Sequence, residues 1–450
     1  MAVIEGFDFF PVHCDGDGKI QSSDELRALT SAVQQRQPSD VIFIAHGFRN
    51  DENDASGLYS GFLQTFGANL NRTEFAAVKA RRFVVCGIFW PSKAFKESFD
   101  EGAVQNLDDR DAEKREVRRR LEELKATDAC EEQRPKIEKA LKLLDTVDGS
   151  TAAQDEFVTL VLSLLDDAEL DATEGLQKVR EQDGSRLLEL LEKPLFLPTV
   201  PKVKDADDEG GALGGIAPVF DNGGEGGTQG IRSVFGSIFG RIGQFLNLTT
   251  WYLMKDRSGK VGAGAGAEAV RAVRAVAPAI KVHLVGHSLG GRLMASCAKA
   301  LAEEGTHKVD SLTLLQAAFS HYGLSSTRKE NTPGFFRAVI DKKVVRGPLI
   351  ATYSAKDTVV GKAYAIMSRL ANDNTRAVGD KNDEFGGIGR NGSQNAPGSI
   401  VEPLHQVGAP YAFSAGVIIN LDGSQGLITN HGDVRSANVT YAFAWVVEGT

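Results

Sequence analysis

The sequence lacks several features that would assign it to a disulfide-rich, zinc-binding or membrane class. Its 450 residues include only four cysteines, Cys14, Cys86, Cys130 and Cys297. Because none of them forms a C-x-x-C pair, we expect buried free thiols rather than a zinc site or a disulfide framework. No apolar run approaches the ~20 residues of a membrane-spanning helix, and no basic leader with an apolar stretch opens the chain. These absences favour a cytoplasmic protein without a membrane span.

An excess of basic residues is also missing. Lysine and arginine together number 51 against 60 aspartates and glutamates, a formal net charge of −9. An acidic chain without a basic stripe argues against a nucleic-acid surface. The hydrophobic fraction of 42% and the charged fraction of 25% are ordinary for a globular protein. The length suits two domains as well as one large α/β enzyme with an insertion.

One stretch, residues 281–291 (KVHLVGHSLGG), organises the rest of the chain. Its first five residues are typical of a strand, and a helix-compatible run follows from Arg292. A strand that reverses into a helix within a few residues crowds the backbone, so small residues must flank the serine at the turn. The stretch therefore predicts a strand, a sharp turn that exposes the Ser288 hydroxyl, and a helix. In a chain with 48 glycines the G-x-S-x-G pattern alone proves little.

Strand-like and helix-like segments alternate along most of the chain. Predicted strands cover 41–45, 82–89, 281–285, 309–316, 348–354 and 417–421, and predicted helices include 24–36, 267–277 and 434–447. Residues 2–13 indicate an opening strand or hairpin broken by Pro11. The alternation predicts an α/β fold with a mostly parallel central sheet and helices on both faces.

The alternation is interrupted over residues 95–245, which we interpret as a large, mainly helical insertion between core segments 1–94 and 246–450. It is charged and helical to about residue 193, and near 205–230 it becomes glycine-rich and is expected to be mobile. Beyond that, four apolar residues recur close to helical spacing: Phe235, Phe239, Ile242 and Phe245. They form either an ordinary buried helix face or an apolar lid over a cleft.

Two further motifs give only weak indications of a binding site. Asp15 and Asp17 fall at calcium-ligand positions of an Asp-Gly-rich loop, but the expected first and last ligands are missing, so a turn is favoured over a calcium site. Gly262, Gly264 and Gly266 neither follow a strand nor match G-x-G-x-x-G, which argues against a dinucleotide site. We expect no cofactor and no metal.

Polar side chains of complementary chemistry follow four predicted strands, where parallel sheets collect function. A serine hydroxyl becomes a nucleophile when an imidazole takes its proton and a carboxylate orients that imidazole. Ser288, Asp357 and His431 supply these groups in the order serine, acid, histidine. His321 and His405 also follow the serine, but His431 lies directly between the last strand and the last helix. Asp433 is expected to support the turn or cap the helix.

This order, with GHSLG on a strand-to-helix elbow, resembles the α/β-hydrolase superfamily over residues 40–92 and 265–450. The HGF and FWPS strand ends, SAKDTV and NHGDV are similar to a group of bacterial serine hydrolases. The resemblance implies an α/β-hydrolase fold with a helical cap, and an oxyanion hole built from the backbone N–H groups of Phe48 and Leu289. Residues expected to line or shape the substrate cleft are His46, Trp90, His287 and Phe319.

The expected function is that of a serine esterase or lipase-like hydrolase that cleaves a carboxylic ester through an acyl-enzyme intermediate. The expected partner is a small-molecule or lipid-like ester. Thioester or amide hydrolysis would use the same groups, and a non-catalytic scaffold that binds partners through the insertion is the alternative from another class. The sequence leaves the oligomeric state open.

Overall fold

A nine-stranded sheet forms the centre of the protein. The computed structural model describes residues 2–93, 110–127, 131–166, 174–192, 237–327, 332–372 and 379–450. The strands are β1 (Ala2–Ile4), β2 (Phe7–His13), β3 (Asp40–Ala45), β4 (Phe83–Phe89), β5 (Lys281–His287), β6 (Ser311–Leu315), β7 (Leu349–Tyr353), β8 (Ile400–Pro403) and β9 (Ile418–Asp422). Their order is β1-β2-β4-β3-β5-β6-β7-β9-β8; β1 pairs antiparallel with β2, and each other neighbouring pair is parallel. The predicted α/β class is confirmed.

Helices cover both faces of this sheet. They are α1 (Ser23–Arg36), α2 (Glu52–Leu70), α3 (Ala76–Lys79), α4 (Arg110–Thr127), α5 (Arg134–Leu143), α6 (Thr151–Leu162), α7 (Leu176–Arg180), α8 (Gly184–Glu192), α9 (Ile238–Val261), α10 (Ala267–Val276), α11 (Leu289–Glu304), α12 (Arg337–Asp341), α13 (Thr358–Asn372), α14 (Ile388–Asn391) and α15 (Ala437–Glu448). In β3, Val41 and Phe43 join the core under α1 and α11, whereas Ile42 and Ile44 join the core under α2 and α15. This two-sided burial explains the continuous apolar run of the strand.

The structure differs from the sequence prediction at both edges of the sheet. The predicted opening hairpin is present as β1 and β2, but Pro11 does not break it: β2 runs through this residue, which pairs with β4 and has no partner in β1. β8 was not among the predicted strands. It is a short edge strand in which Ile400 and Val401 are 39% and 66% exposed. A strand without a buried face gives no apolar pattern to detect.

The glycine-rich segment before α10 is helical rather than a loop. A π turn at Gly262–Gly266 joins α9 and α10 into one helical run. A Cβ on Gly262 would lie 2.0 Å from the carbonyl oxygen of Leu293 in α11, and one on Gly264 would lie 2.4 Å from that of Gly18. The glycines thus permit close backbone packing. The helix α9 also crosses the predicted boundary at residues 245 and 246 without a break.

Several smaller expectations can be compared with the described residues. Phe239, Ile242 and Phe245 are buried, which favours the packed helix face, whereas Phe235 and the segment 205–230 lie outside the described residues. Asp15 accepts backbone hydrogen bonds from residues 17 and 19, as a turn requires. Three cysteines (Cys14, Cys86 and Cys297) are buried free thiols, and Cys130 is not described. In the part of the chain that the structure describes, we found no helix with the length and apolarity needed to cross a bilayer.

Candidate active site

Ser288 occupies a sharp turn between β5 and α11. Its backbone is in an unusual conformation for a non-glycine residue, with φ +56° and ψ −123°. A Cβ on Gly286 would lie 2.1 Å from the carbonyl oxygen of Gly290, and a Cβ on Gly290 would lie 2.3 Å from that of Ala45. Neither position tolerates a side chain, which is the steric reason for the flanking glycines. The predicted strand, elbow and helix are present.

Asp357 and His431 are joined directly. Oδ2 of Asp357, just beyond β7, lies 2.8 Å from Nδ1 of His431, in the loop that follows β9. The other carboxylate oxygen accepts a hydrogen bond from the Val360 N–H, 2.9 Å away, at the start of α13. Both residues are buried. Because an ionised carboxylate only accepts hydrogen bonds, Nδ1 of His431 carries a proton and Nε2 of the neutral ring is left as an acceptor.

The loop that carries His431 is held by side chains from two other places and by one of its own aspartates. The carbonyl oxygen of His431 accepts hydrogen bonds from Gln316 Nε2 at 2.9 Å and His287 Nε2 at 3.0 Å. Asp433 accepts one from the Thr429 hydroxyl at 2.7 Å and so closes the turn, as expected of a supporting residue. Sequence reasoning missed Gln316, because its partner lies 115 residues further along the chain.

Two reactive atoms at this end of the sheet have no partner. Ser288 Oγ and His431 Nε2 are buried, and neither forms a hydrogen bond within the described residues. The ring of His431 lies 4.7 Å, centroid to centroid, from that of His287, the residue before Ser288. A Cβ on Gly47 would lie 3.4 Å from Ser288 Oγ. The loop after β3 therefore passes directly against the serine hydroxyl.

The orientation of that loop is set by His46. The carbonyl oxygen of Gly47 accepts a hydrogen bond from His46 Nδ1 at 3.0 Å, and the Trp90 N–H donates to Nε2 at 3.3 Å. The ring is therefore neutral, and its burial lowers the pKa of His46 to about 4. In a trans peptide the N–H points away from the preceding C=O, so the Phe48 N–H points away from the His46 ring. Neither the Phe48 nor the Leu289 N–H has an acceptor among the described residues.

The four residues expected near the cleft are all buried, at 2% for His46, 4% for Trp90, 7% for His287 and 0% for Phe319. Trp90 stacks on His46 with 5.6 Å between ring centroids and donates from Nε1 to its carbonyl oxygen. Burial, followed by the charge of His431, lowers the pKa of His287 well below its usual value. Phe319 packs against Phe336 in the core. His46, Trp90 and His287 thus brace the loops around the serine.

The alternative histidines lie in other surroundings. His321 Nδ1 lies 3.1 Å from the side chain of Asn391, and His405 stacks on Tyr411. Asp357 therefore pairs with His431 rather than with either of them. Within the described ranges, no group of three or more histidine, cysteine, aspartate or glutamate side chains could hold a metal ion.

Comparisons of the chain with protein-family models, with curated proteins and with solved structures gave no match. The chemistry open to this site therefore follows from the side chains and backbone amides that form it. A serine on a strained turn, an imidazole whose far nitrogen is oriented by a carboxylate, and two unpaired backbone amides are the groups needed for acyl transfer.

Proposed function

We propose that this protein is a serine hydrolase of carboxylic esters, with Ser288 as nucleophile, His431 as general base and Asp357 as the acid that orients it. One observation carries the proposal: Ser288 Oγ and His431 Nε2 are both buried and both unpaired, while His431 Nδ1 is bonded to Asp357. Buried polar atoms almost always have partners. Two orphaned atoms of complementary chemistry are explained by a reaction in which one passes its proton to the other.

In the first half of the proposed reaction, His431 Nε2 takes the hydroxyl proton as Ser288 Oγ attacks the ester carbonyl carbon. The negative charge that forms on the carbonyl oxygen is stabilised by the N–H groups of Phe48 and Leu289. Preorganised donors of this kind typically contribute about 3 kcal/mol each. The imidazolium then protonates the departing alcohol, and an acyl-enzyme remains.

In the second half, water takes the place of the alcohol. His431 removes a proton from this water as the water oxygen attacks the acyl carbon. The imidazolium then returns a proton to Ser288 Oγ as the bond between Oγ and the acyl carbon breaks, and the carboxylic acid leaves. Throughout the cycle Asp357 keeps Nδ1 protonated and stabilises the imidazolium. The bond from the Val360 N–H fixes the carboxylate in this position.

The same proposal includes an α/β-hydrolase fold with a helical cap. Its support is the location of the elbow after β5, the acid after β7 and the histidine after β9, three strands in one parallel sheet. The cap corresponds to residues 95–245, where α4, α6 and α8 pack against α9. A cytoplasmic enzyme for a small-molecule or lipid-like ester fits this proposal.

Hydrolysis of p-nitrophenyl esters of short and long acyl chains, by the wild type and by Ser288→Ala, tests the function. We expect turnover of at least one ester by the wild type and its loss in the variant. Absence of hydrolysis with every acyl length, or equal rates in the variant, would contradict the proposal and favour a binding scaffold. Parallel assays with a thioester and a p-nitroanilide determine which acyl derivative is preferred.

A further inference from the structure

Arg49, two residues beyond Gly47, is a cation without an anionic partner among the described residues. Its side chain is partly buried, and its guanidinium lies 5.4 Å from the centroid of the Phe48 ring. Within the same residues the guanidinium forms no hydrogen bond and no ion pair. Buried arginines are normally paired because an uncompensated charge is costly away from water. An unpaired guanidinium at this position therefore needs an explanation.

A second positive charge, that of Arg120, acts on Arg49. Arg120 of α4 is 3% exposed, and it bonds to Glu116 Oε1 at 2.8 Å and to Asn247 Oδ1 at 2.6 Å. Glu116 also accepts two hydrogen bonds from Arg119, so its charge is already shared. Burial, followed by repulsion from Arg120, lowers the pKa of Arg49 to about 10. Arg49 is therefore still positively charged at neutral pH.

The backbone holds Arg49 close to the serine. Its N–H donates to the carbonyl oxygen of Ser92 at 2.9 Å, and its φ is +60°, a left-handed conformation that few non-glycine residues adopt. Its Cα lies two residues from that of Gly47, which limits their separation to about 7.6 Å. The glycine itself lies against Ser288. Arg49 thus belongs to the loop that contacts the nucleophile, and its guanidinium lies beside Phe48 of the same loop.

We infer that Arg49 binds an anionic group, such as a carboxylate, carried by the substrate, so that the enzyme selects anionic esters over neutral ones. The inference rests on the proposed function. A guanidinium offers two parallel N–H donors to a carboxylate, and a partly buried site strengthens that contact. The bound anion would provide Arg49 with the counter-charge that none of the described residues supplies.

Two matched pairs of esters test this selectivity. On the acyl side, mono-p-nitrophenyl adipate is compared with p-nitrophenyl hexanoate; on the alcohol side, 3-carboxy-4-nitrophenyl butyrate is compared with 4-nitrophenyl butyrate. In at least one pair, we expect Arg49→Gln to lower the ratio of kcat/KM (charged over neutral) by about 10- to 100-fold. Arg49→Lys should retain part of the ratio, and Arg346→Gln, an exposed arginine at the opposite end of the sheet, should not change it.

The outcomes separate this inference from the proposed function. If both pairs are hydrolysed with ratios that Arg49→Gln leaves unchanged, the inference is wrong and the esterase proposal stands. If no ester is hydrolysed, a binding measurement tests the role of Arg49. Monoethyl adipate is titrated calorimetrically into Ser288→Ala and into Ser288→Ala/Arg49→Gln. The double variant should bind it at least ~10-fold more weakly. Equal affinities, or no binding to either, would overturn it.

Discussion

The molecule contains two serine–histidine–aspartate constellations, one at each end of its parallel sheet. Ser288, His431 and Asp357 lie beyond the carboxyl ends of the strands. A second set, Asp40, His283 and Ser311, lies near the amino ends of the neighbouring strands β3, β5 and β6. The residue types are the same, so residue type alone does not define the site.

In the second constellation both ring nitrogens of the histidine are paired, and the one carboxylate oxygen without a hydrogen bond, Asp40 Oδ2, lies 3.3 Å from Nε of Arg81. His283 Nδ1 lies 2.8 Å from Ser311 Oγ, and Nε2 lies 3.0 Å from Asp40 Oδ1. All three side chains are 0% exposed. Burial alone would raise the pKa of Asp40, but hydrogen bonds from His283 and Ser39 and the charge of Arg81 hold it below its usual value. These groups cross-link three strands and leave neither the serine hydroxyl nor a nitrogen of His283 unpaired.

The difference lies in the backbone and in the unpaired atoms. Ser311 is an ordinary strand residue, whereas Ser288 is held at positive φ at the start of a helix. Among the described residues, Ser288 Oγ and His431 Nε2 lack partners, and Gly47 brings a loop with an unpaired amide against the hydroxyl. The same residue types thus stabilise one end of the sheet and, in the proposed function, carry out catalysis at the other.

The largest expected effect separates the two serines. Ser288→Ala should lower kcat for the preferred ester by about 10⁴-fold or more, because the nucleophile is removed. Ser311→Ala should leave kcat within about threefold but lower the free energy of unfolding by roughly 1–2 kcal/mol, because it leaves a buried nitrogen of His283 unpaired. Ester hydrolysis and urea unfolding of both variants measure this. Loss of activity in Ser311→Ala with intact folding would contradict the comparison.

The two carboxylates should differ in the same way. Asp357→Asn should reduce kcat by about 10³- to 10⁴-fold, because the amide no longer stabilises an imidazolium. Asp40→Asn should instead cost roughly 3 kcal/mol of stability, because Arg81 and His283 lose a buried charge partner. Rates are compared per folded molecule, with folding monitored by circular dichroism. A comparable loss of kcat in Asp40→Asn would undermine the assignment.

A smaller effect is expected at the loop beside the serine. The Cβ introduced by Gly47→Ala would lie 2.9 Å from Ser288 Cβ, so the loop must move and the Phe48 N–H with it. We predict a loss of about 10²-fold in kcat, the scale of one oxyanion donor. Gly57→Ala is the matched control, since its Cβ would meet nothing within 4 Å in α2. An unchanged kcat in Gly47→Ala would remove Phe48 from the proposed oxyanion hole.

The smallest effect is a difference in pH dependence. The unfolded chain protonates His46 near pH 6.5 but the folded protein only near 4, so the free energy of unfolding falls as pH drops between those values. His287 contributes in the same direction. His46→Asn should remove about 2 kcal/mol of the loss between pH 6.5 and 5. Asp40→Asn should change the pH dependence of the free energy of unfolding only below pH ~4, because the pKa of Asp40 is lowered in the folded protein. Urea unfolding at several pH values measures both effects.

Much of the sheet could be predicted from the sequence, because strands such as β3 and β4 are buried on both faces and appear as continuous apolar runs. The elbow at Ser288 was also predictable, since the close approach of the backbone at this turn requires glycines on both sides of the serine. β8 was not, because an exposed edge strand has no such pattern. The helical joining of α9 to α10 depends on how closely α11 approaches Gly262, which is a tertiary contact.

In the candidate site, Ser288, Asp357 and His431 could be predicted from the sequence, because each follows a predicted strand. Gln316 and Arg49 could not be predicted. Gln316 matters through a carbonyl 115 residues away, and Arg49 stands out only because no described residue pairs with its guanidinium. Neither the presence nor the absence of a distant partner leaves a pattern in a single sequence. The same limit applies to the closed constellation around His283.

The most direct test of the proposed nucleophile is the site of covalent labelling by a fluorophosphonate, located by mass spectrometry of the digested protein. We predict a single adduct on Ser288, labelling that is slowed strongly in His431→Ala, and labelling at the wild-type rate in Ser311→Ala. An adduct on another serine, no adduct at all, or labelling of His431→Ala as fast as the wild type would contradict the assignment of Ser288 and His431 as nucleophile and base.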